Sequence, residues 1–211
     1  MSSEPTGRVM VVVAHPDDME FSCGGTVAKF ARQGRHIVLV QCTSGEKGTN
    51  RRDLTPEQLA RLREEEEREA CRRLGLAEVV FLGLPDGELV PDLAFREKIV
   101  RQIRLHRPDI VITHDPFRPY ALHPDHRAVG ITTVDAVYPT ARDPLYFPEH
   151  LKEGLEPHKV AELWLFGAEY PDLYIDISET LDAKVHALRA HVSQVGEGKD
   201  LEERIRERAA E

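Results

Sequence analysis

Val9-Met10-Val11-Val12-Val13-Ala14-His15-Pro16-Asp17-Asp18-Met19-Glu20 decides how the chain is read. Its opening run of apolar residues predicts a strand buried on both faces. The chain then turns at Pro16, so that hydrophobic backbone delivers a polar cluster of His15, Asp17, Asp18 and Glu20. A plain structural reading competes, because acidic residues favour the start of a following helix, where they cap it and meet the positive end of its dipole. The balance shifts at His123-Pro124-Asp125-His126, a second His/Asp cluster that also follows a predicted strand. Two such clusters at one edge of a sheet make a metal site.

Working outward, Ser22 to Gly25 lead into a helix expected over 26–33 and closed by Gly34. Ile37 to Cys42 is a second apolar run, which empties into a loop of turn formers over 43–50. Thr55, Pro56 and Gln58 mark the next helix with a capping box and a proline at its first position, and Gly75 ends it. Its acidic run, Glu64 to Glu67, reads as a solvated face with Arg partners a turn away. Val79 to Leu82 is a third strand, Pro85-Asp86-Gly87 a turn, and Asp92 the cap of a helix with Phe95, Ile99, Ile103 and Leu105 inward. Asp109 to Thr113 is the fourth strand and 128–137 a helix. The proline-rich stretch 138–158 is expected to form an ordered loop or flap. Two more strands are predicted at 160–166 and 174–177, then a helix over 179–191 capped by Ser178, then a charged helical tail over 201–211 with little apolar surface. Strands alternating with helices imply right-handed βαβ units. The expectation is an α/β fold, Rossmann-like and three-layered, with a mostly parallel sheet and the active site at the C-terminal ends of the strands.

At 211 residues the chain fits one domain, 1–211, with 1–7 and about 197–211 expected to be peripheral. A net charge of −9 argues against nucleic acid or an anionic membrane as a general partner. Cys23, Cys42 and Cys71 are odd in number and lack a CxxC pattern, which suits reduced cysteines in the cytoplasm. No stretch approaches the roughly 18 apolar residues of a membrane span. A cytoplasmic protein acting on a small molecule is expected, with homo-oligomerisation left open.

Every polar cluster falls after a predicted strand, yet neither GxGxxG nor GxxxxGK[ST] occurs, so the nucleotide reading of such a sheet is weak. Two imidazoles and one carboxylate suit a catalytic zinc, because three protein ligands leave a fourth position open. The candidate donors are His15, Asp18 and His126. Asp17 and Asp18 point in different directions on a tight turn, so one can ligate while the other faces water. That division suits hydrolysis, in which a divalent ion lowers the pKa of a water and a carboxylate takes its proton. His123 reaches the same place as an oxyanion stabiliser or acid. Two other readings stay open: a metal-dependent phosphoester hydrolase, which needs two ions, and a non-catalytic metal-binding protein, which needs a closed shell.

The Ala14–Glu20 motif AHPDDME, taken with HPDH at His123–His126, resembles the LmbE/PIG-L family of metal-dependent N-deacetylases. The TSGEKG loop, the LREEEEREACRRLG helix and the LPDGEL turn are similar in kind and order, so the resemblance runs from Val9 to about Gln194. It implies a zinc-dependent N-deacetylase that removes an acyl group, an acetyl first of all, from an N-acetylglucosamine derivative or related small molecule. It implies one divalent ion, zinc first, on His15, Asp18 and His126, with Asp17 as general base and His123 stabilising the oxyanion. It places Arg63 against substrate, where a solvated helix face is the competing reading. Asp125 either orients His123 or satisfies its own turn, and His114 and Asp115 are candidate partners of ligating histidines. Glu46 faces either substrate or solvent. Arg118, Tyr120, Arg142 and Tyr146 are candidate substrate contacts, whereas His191 reads as a packed histidine and Cys23 as core.

Overall fold

Five strands, β1 (Arg8–Val13), β2 (His36–Thr43), β3 (Glu78–Leu84), β4 (Ile110–His114) and β5 (Glu162–Phe166), form one all-parallel sheet of order β3-β2-β1-β4-β5. The computed structural model describes residues 7–120, 122–196 and 200–210. Between the strands run α1 (Asp18–Arg32), α2 (Pro56–Leu74), α3 (Leu93–His106), α4 (Pro124–Asp135) and α5 (Glu149–Lys152). After β5 come α6 (Leu181–Leu188), α7 (Val192–Val195) and α8 (Asp200–Ala210).

Side chains alternate across a strand, so β1 feeds two cores. Val9, Val11 and Val13 pack with α1, α2 and α6 through Val27, Phe30, Ala70, Leu74 and Ala187. Met10 and Val12 pack on the opposite face with Phe95, Ile99 and Ile103 of α3 and Val129 of α4. The expected three layers follow directly. From β1 the chain moves outward through β2 and β3, then returns to place β4 on the other flank of β1. Val12 pairs with Thr113, so the residues that leave β1 and β4 emerge side by side at the point where strand order reverses.

The cap signals of α2 are realised: Thr55 Oγ1 accepts from Gln58 N, Gln58 Oε1 accepts from Thr55 N, and Gly75 sits at φ 80°. Asp92 caps α3 through Phe95 N, although Leu105 is exposed rather than inward. Other expectations are corrected. α1 begins at Asp18, well before 26–33, because the turn at Asp17 feeds straight into helix. Residues 174–177 form no strand; Ile177 seats over Gly25, where even a Cβ would lie 2.6 Å from its Cδ1, so this stretch packs on α1 instead of the sheet. The helix after Ser178 starts with a short 3-10 turn, and α6 stops at Leu188.

Glu64 to Glu67 is not a solvated face. Glu65 is exposed, but Glu64 accepts from Ser44 Oγ at 2.7 Å, while Glu66 and Glu67 are buried. Glu66 takes the N–H and hydroxyl of Ser193 at 2.8 and 2.6 Å. The tail helix α8 buries Leu201 and Ile205 against Val185 and Leu188, so its sparse apolar residues lie on one stripe. Of the segments expected to be peripheral, 1–6, 197–199 and 211 lie outside the described residues. The 138–158 flap is ordered around one side chain: Arg104, 2% exposed, donates to the carbonyl oxygens of Thr140, Ala141, Asp143, Tyr146 and Phe147. No helix among the described residues is long and apolar enough to cross a membrane.

Candidate active site

Asp17 stands at the N-cap position of α1 with φ 96°, in the left-handed region that non-glycine residues avoid. Its side chain makes no capping hydrogen bond among the described residues. The capping explanation of the paired aspartates therefore fails, and both carboxylates are turned to other partners. Asp18 Oδ2 accepts the backbone N–H of His15 at 2.7 Å, which folds the turn back on itself.

His15 and Asp18 meet His126 from the first turn of α4. His15 Nδ1 lies 3.2 Å from His126 Nε2 and 3.4 Å from Asp18 Oδ2, and His126 Nε2 lies 3.1 Å from Asp18 Oδ1. Around a tetrahedral zinc with bonds of about 2.0–2.2 Å, neighbouring donors are separated by roughly 3.3–3.5 Å. The separations of the three side chains are close to that spacing, with Asp18 meeting His15 through Oδ2 and His126 through Oδ1. Their electrostatics call for positive charge: burial pulls the His15 pKa down, but Asp18 and Asp86 raise it to about 10. Burial pushes the Asp18 carboxyl up, and hydrogen bonds from His114, His126 and His15 outweigh that and hold it well below the usual carboxylate range.

The other nitrogen of His15 is held by two carboxylates. Nε2 lies 3.1 Å from Asp86 Oδ1 and 3.2 Å from Asp125 Oδ2. Both acids are themselves anchored, Asp86 by the backbone N–H of Lys47 at 2.9 Å, Asp125 by those of Gly87 and Leu89 at 2.7 and 3.2 Å. Carboxylates in this position fix the ring and tautomer of a metal-ligating histidine. Asp125 thus orients His15, not His123. Asp86 escaped the sequence reading because Pro-Asp-Gly explains itself as a turn; its position after β3, at the same edge as the other clusters, was the available signal.

His114 is buried, stacks on His126 at 4.1 Å and places Nε2 3.4 Å from Asp18 Oδ2. Asp115 turns away, accepting from Phe117 N at 2.8 Å. His123 caps α4: its Nδ1 accepts the N–H of Asp125 at 3.1 Å, so the neutral ring carries its proton on Nε2. Its ring stands edge-on to His15 at 4.7 Å, and burial followed by the charge of His15 lowers its pKa.

Arg63 is 4% exposed and is not on a solvated face. It donates to the carbonyl oxygens of Pro16 at 2.6 Å and Gly45 at 2.9 Å, and its Nη2 lies 3.5 Å from Asp17 Oδ2. Glycine is needed opposite it, since a Cβ at Gly45 or Gly48 would come within 2.2 or 2.5 Å of Nη1. Burial, then Asp18, raise the Asp17 pKa to about 6, with Arg63 opposing the rise. Glu46 is half-buried and turned to the backbone, where it accepts the N–H of Asp86 at 2.8 Å.

A cavity of about 330 Å³ opens over these groups, lined by His15, Asp17, Lys47, Gly48, Arg63, Asp86, Gly87, His123 and Gln194. Arg118, Tyr120, Arg142 and Tyr146 do not line it; Arg142 pairs with Asp143 and stacks on Tyr138. Gln194 does, reaching in from α7 to donate to Gly48 O at 3.2 Å. A larger cavity of about 820 Å³ lies against β5, and none of His15, Asp17, Asp18 or His126 borders it.

The chain is similar to known proteins over most of its length. Diacetylchitobiose deacetylase of Thermococcus kodakarensis is 35% identical over 190 residues, covering 90% of this chain and 71% of that protein. The 1D-myo-inositol 2-acetamido-2-deoxy-alpha-D-glucopyranoside deacetylase of Mycobacteroides abscessus is 32% identical, covering 90% of this chain and 82% of that protein. Among solved structures, N,N'-diacetylchitobiose deacetylase from Pyrococcus horikoshii, in complex with an inhibitor, superposes with a TM-score of 0.89 at 30% identity, over 97% of this chain and 76% of that one. The family model described as PIG-L: GlcNAc-PI de-N-acetylase matches residues 10–137, which include both His/Asp clusters, and the chain belongs to that family.

Proposed function

We propose that this protein is a zinc-dependent deacetylase, with the whole chain as one catalytic domain, that hydrolyses the N-acetyl amide of a small N-acetylglucosamine derivative. The observation that carries the reading is the convergence of His15 Nδ1, His126 Nε2 and the Asp18 carboxylate at 3.1–3.4 Å beside an uncapped Asp17. Relatives that match over most of the chain are named for deacetylation of such compounds, which supports the substrate class.

His15, Asp18 and His126 are the residues that would hold the ion. When bound there, a divalent metal supplies Lewis acidity that acidifies a water and polarises the amide carbonyl. Asp17 takes a proton from the attacking water and returns it to the amine nitrogen as the C–N bond breaks, leaving acetate and a free amine. His123 donates its Nε2–H to the carbonyl oxygen as negative charge develops there. Arg63 grips the two loops that flank the cavity and keeps a positive charge beside Asp17, so its part is to hold the base as well as to face substrate.

The test is amine release from diacetylchitobiose, N-acetylglucosaminyl inositol and N-acetylglucosaminyl malate by zinc-loaded protein. Turnover of any of them that is lost on chelation supports the assignment. Activity on phosphoesters without any on these amides overturns it.

A further inference from the structure

Behind the catalytic turn lies a cluster that the chemistry above does not use. Glu20 of α1, Glu67 of α2 and His191, which precedes α7, are all 0% exposed. His191 Nε2 lies 3.5 Å from Glu20 Oε2 and 3.9 Å from Glu67 Oε2, and Cys71 Sγ donates to Glu67 Oε1 at 3.4 Å. Among the described residues, both carboxyl oxygens of Glu20 and both ring nitrogens of His191 lack a well-formed hydrogen bond. Ionisable groups so poorly satisfied in a dry interior destabilise the fold, and apolar residues of the same volume are often neutral or better. The cluster therefore calls for an explanation other than packing.

Its link to the site is a single hydrogen bond. Glu67 Oε2 accepts the backbone N–H of Asp17 at 3.1 Å. Asp17 is also where the chain enters the left-handed region, at φ 96°. A residue with a Cβ stays there only when its surroundings fix it. That conformation sends Asp17 toward the cavity while the next residue, Asp18, turns to His15 and His126. The Asp17 N–H belongs to the peptide whose carbonyl oxygen, that of Pro16, accepts from Arg63, so Glu67 and Arg63 hold this peptide from its two sides.

We propose that Glu67 is a positioning residue for the general base: its Oε2 anchors the Asp17 peptide in its left-handed conformation, while Cys71 Sγ donates to its Oε1. The inference rests on the reading of Asp17 as the base. Burial, and then Glu20, push the Glu67 pKa well above the usual carboxylate range; glutamine keeps the size of the side chain and an oxygen that can accept the Asp17 N–H.

Glu67→Gln and Glu67→Leu are compared with wild type and with Asp17→Asn as full-length, zinc-loaded proteins. The readouts are kcat and KM for diacetylchitobiose, metal content, and hydrogen exchange at the Asp17 amide. Expected are at least tenfold faster exchange and at least tenfold lower kcat in Glu67→Leu, with KM and metal content unchanged. Glu67→Gln is expected within threefold of wild type on every readout. Unchanged exchange or unchanged kcat in Glu67→Leu overturns the proposal, as does a loss carried by KM or by departed metal. Should Glu67→Leu not fold, Glu67→Gln decides: tenfold faster exchange or tenfold lower kcat in that variant overturns it. Full turnover in Asp17→Asn would instead sink the base assignment, while the exchange result still judges whether Glu67 anchors the turn.

Discussion

His15 Nδ1 faces His126 Nε2 across 3.2 Å, two ring nitrogens 111 residues apart in sequence that point at each other with the Asp18 carboxylate beside them. Without a cation one nitrogen must turn a proton toward the other. One divalent ion per chain is expected, and His126→Ala should lower its occupancy below about a tenth while leaving the circular dichroism spectrum unchanged. Metal analysis of purified protein checks this. Two ions per chain would favour a two-metal phosphoester mechanism instead.

In the proposed reaction the adjacent aspartates divide two tasks, so their variants should separate. Asp18→Ala removes an oxygen that lies 3.1 Å from His126 Nε2, so metal content should fall. Asp17→Asn preserves size but cannot accept a proton, so metal should stay while turnover drops by about 10²–10⁴-fold. Metal lost from Asp17→Asn and kept by Asp18→Ala would reverse the roles.

Which parts of this site were legible in sequence follows from the range of the forces that build it. Local signals survived: the Thr55 capping box, the Asp92 cap, the apolar runs of β1, β2 and β4, and the His/Asp clusters that follow strands. What escaped depends on partners far along the chain. Glu67 and Glu66 look like a solvated helix face until Asp17 and Ser193 are brought to them. Asp86 looks like a turn residue until β3 places it 3.1 Å from His15. Residues 174–177 have the composition of a strand, yet Gly25, by clearing space for Ile177, and Lys29, by donating to Asp176 O at 2.8 Å, hold them on α1 instead.

Because Asp86 and Asp125 both face His15 Nε2, each helps fix the ring whose Nδ1 is proposed as a metal ligand. Asp86→Asn and Asp125→Asn should each weaken zinc affinity by about 10–100-fold, the usual effect of losing such a partner. Competition with a fluorescent chelator measures it. Unchanged affinity in both variants would mean that the ring is held by His126 and Asp18 alone.

Arg63 and Gly45 should behave as one device, since the guanidinium occupies the space that a side chain at Gly45 would fill. Arg63→Lys leaves one ammonium to reach Pro16 O, Gly45 O and Asp17, which its compact charge cannot do together. At least a tenfold loss of kcat/KM with metal retained is expected. Gly45→Ala adds a Cβ at φ 63° and displaces Nη1, so it should lose activity to a similar degree, and the double variant should be far less damaged than the product of the two. Multiplicative losses would show that the two positions act separately.

The 138–158 flap offers the last prediction. Five carbonyl oxygens of that segment converge on Arg104, whose planar fork reaches several directions at once, Nη2 sharing its two hydrogens among three of them. Arg104→Met keeps much of the apolar stem but leaves those carbonyls without a donor. Buried acceptors left unpaired cost about 1–3 kcal/mol each, and water reaching the outer ones offsets part of that, so a net loss on the order of 3 kcal/mol is expected. For a chain of this size that corresponds to a fall in Tm of roughly 6–12 °C. Arg104→Lys should not restore it, because three donors on one nitrogen cannot span the same set. Metal content should be unaffected in either variant, since Arg104 makes no contact with His15, Asp18 or His126. Calorimetry and metal analysis give both readings, and an unchanged Tm in Arg104→Met would mean that the flap is held by its other contacts, His150 with Glu97 at 2.6 Å foremost.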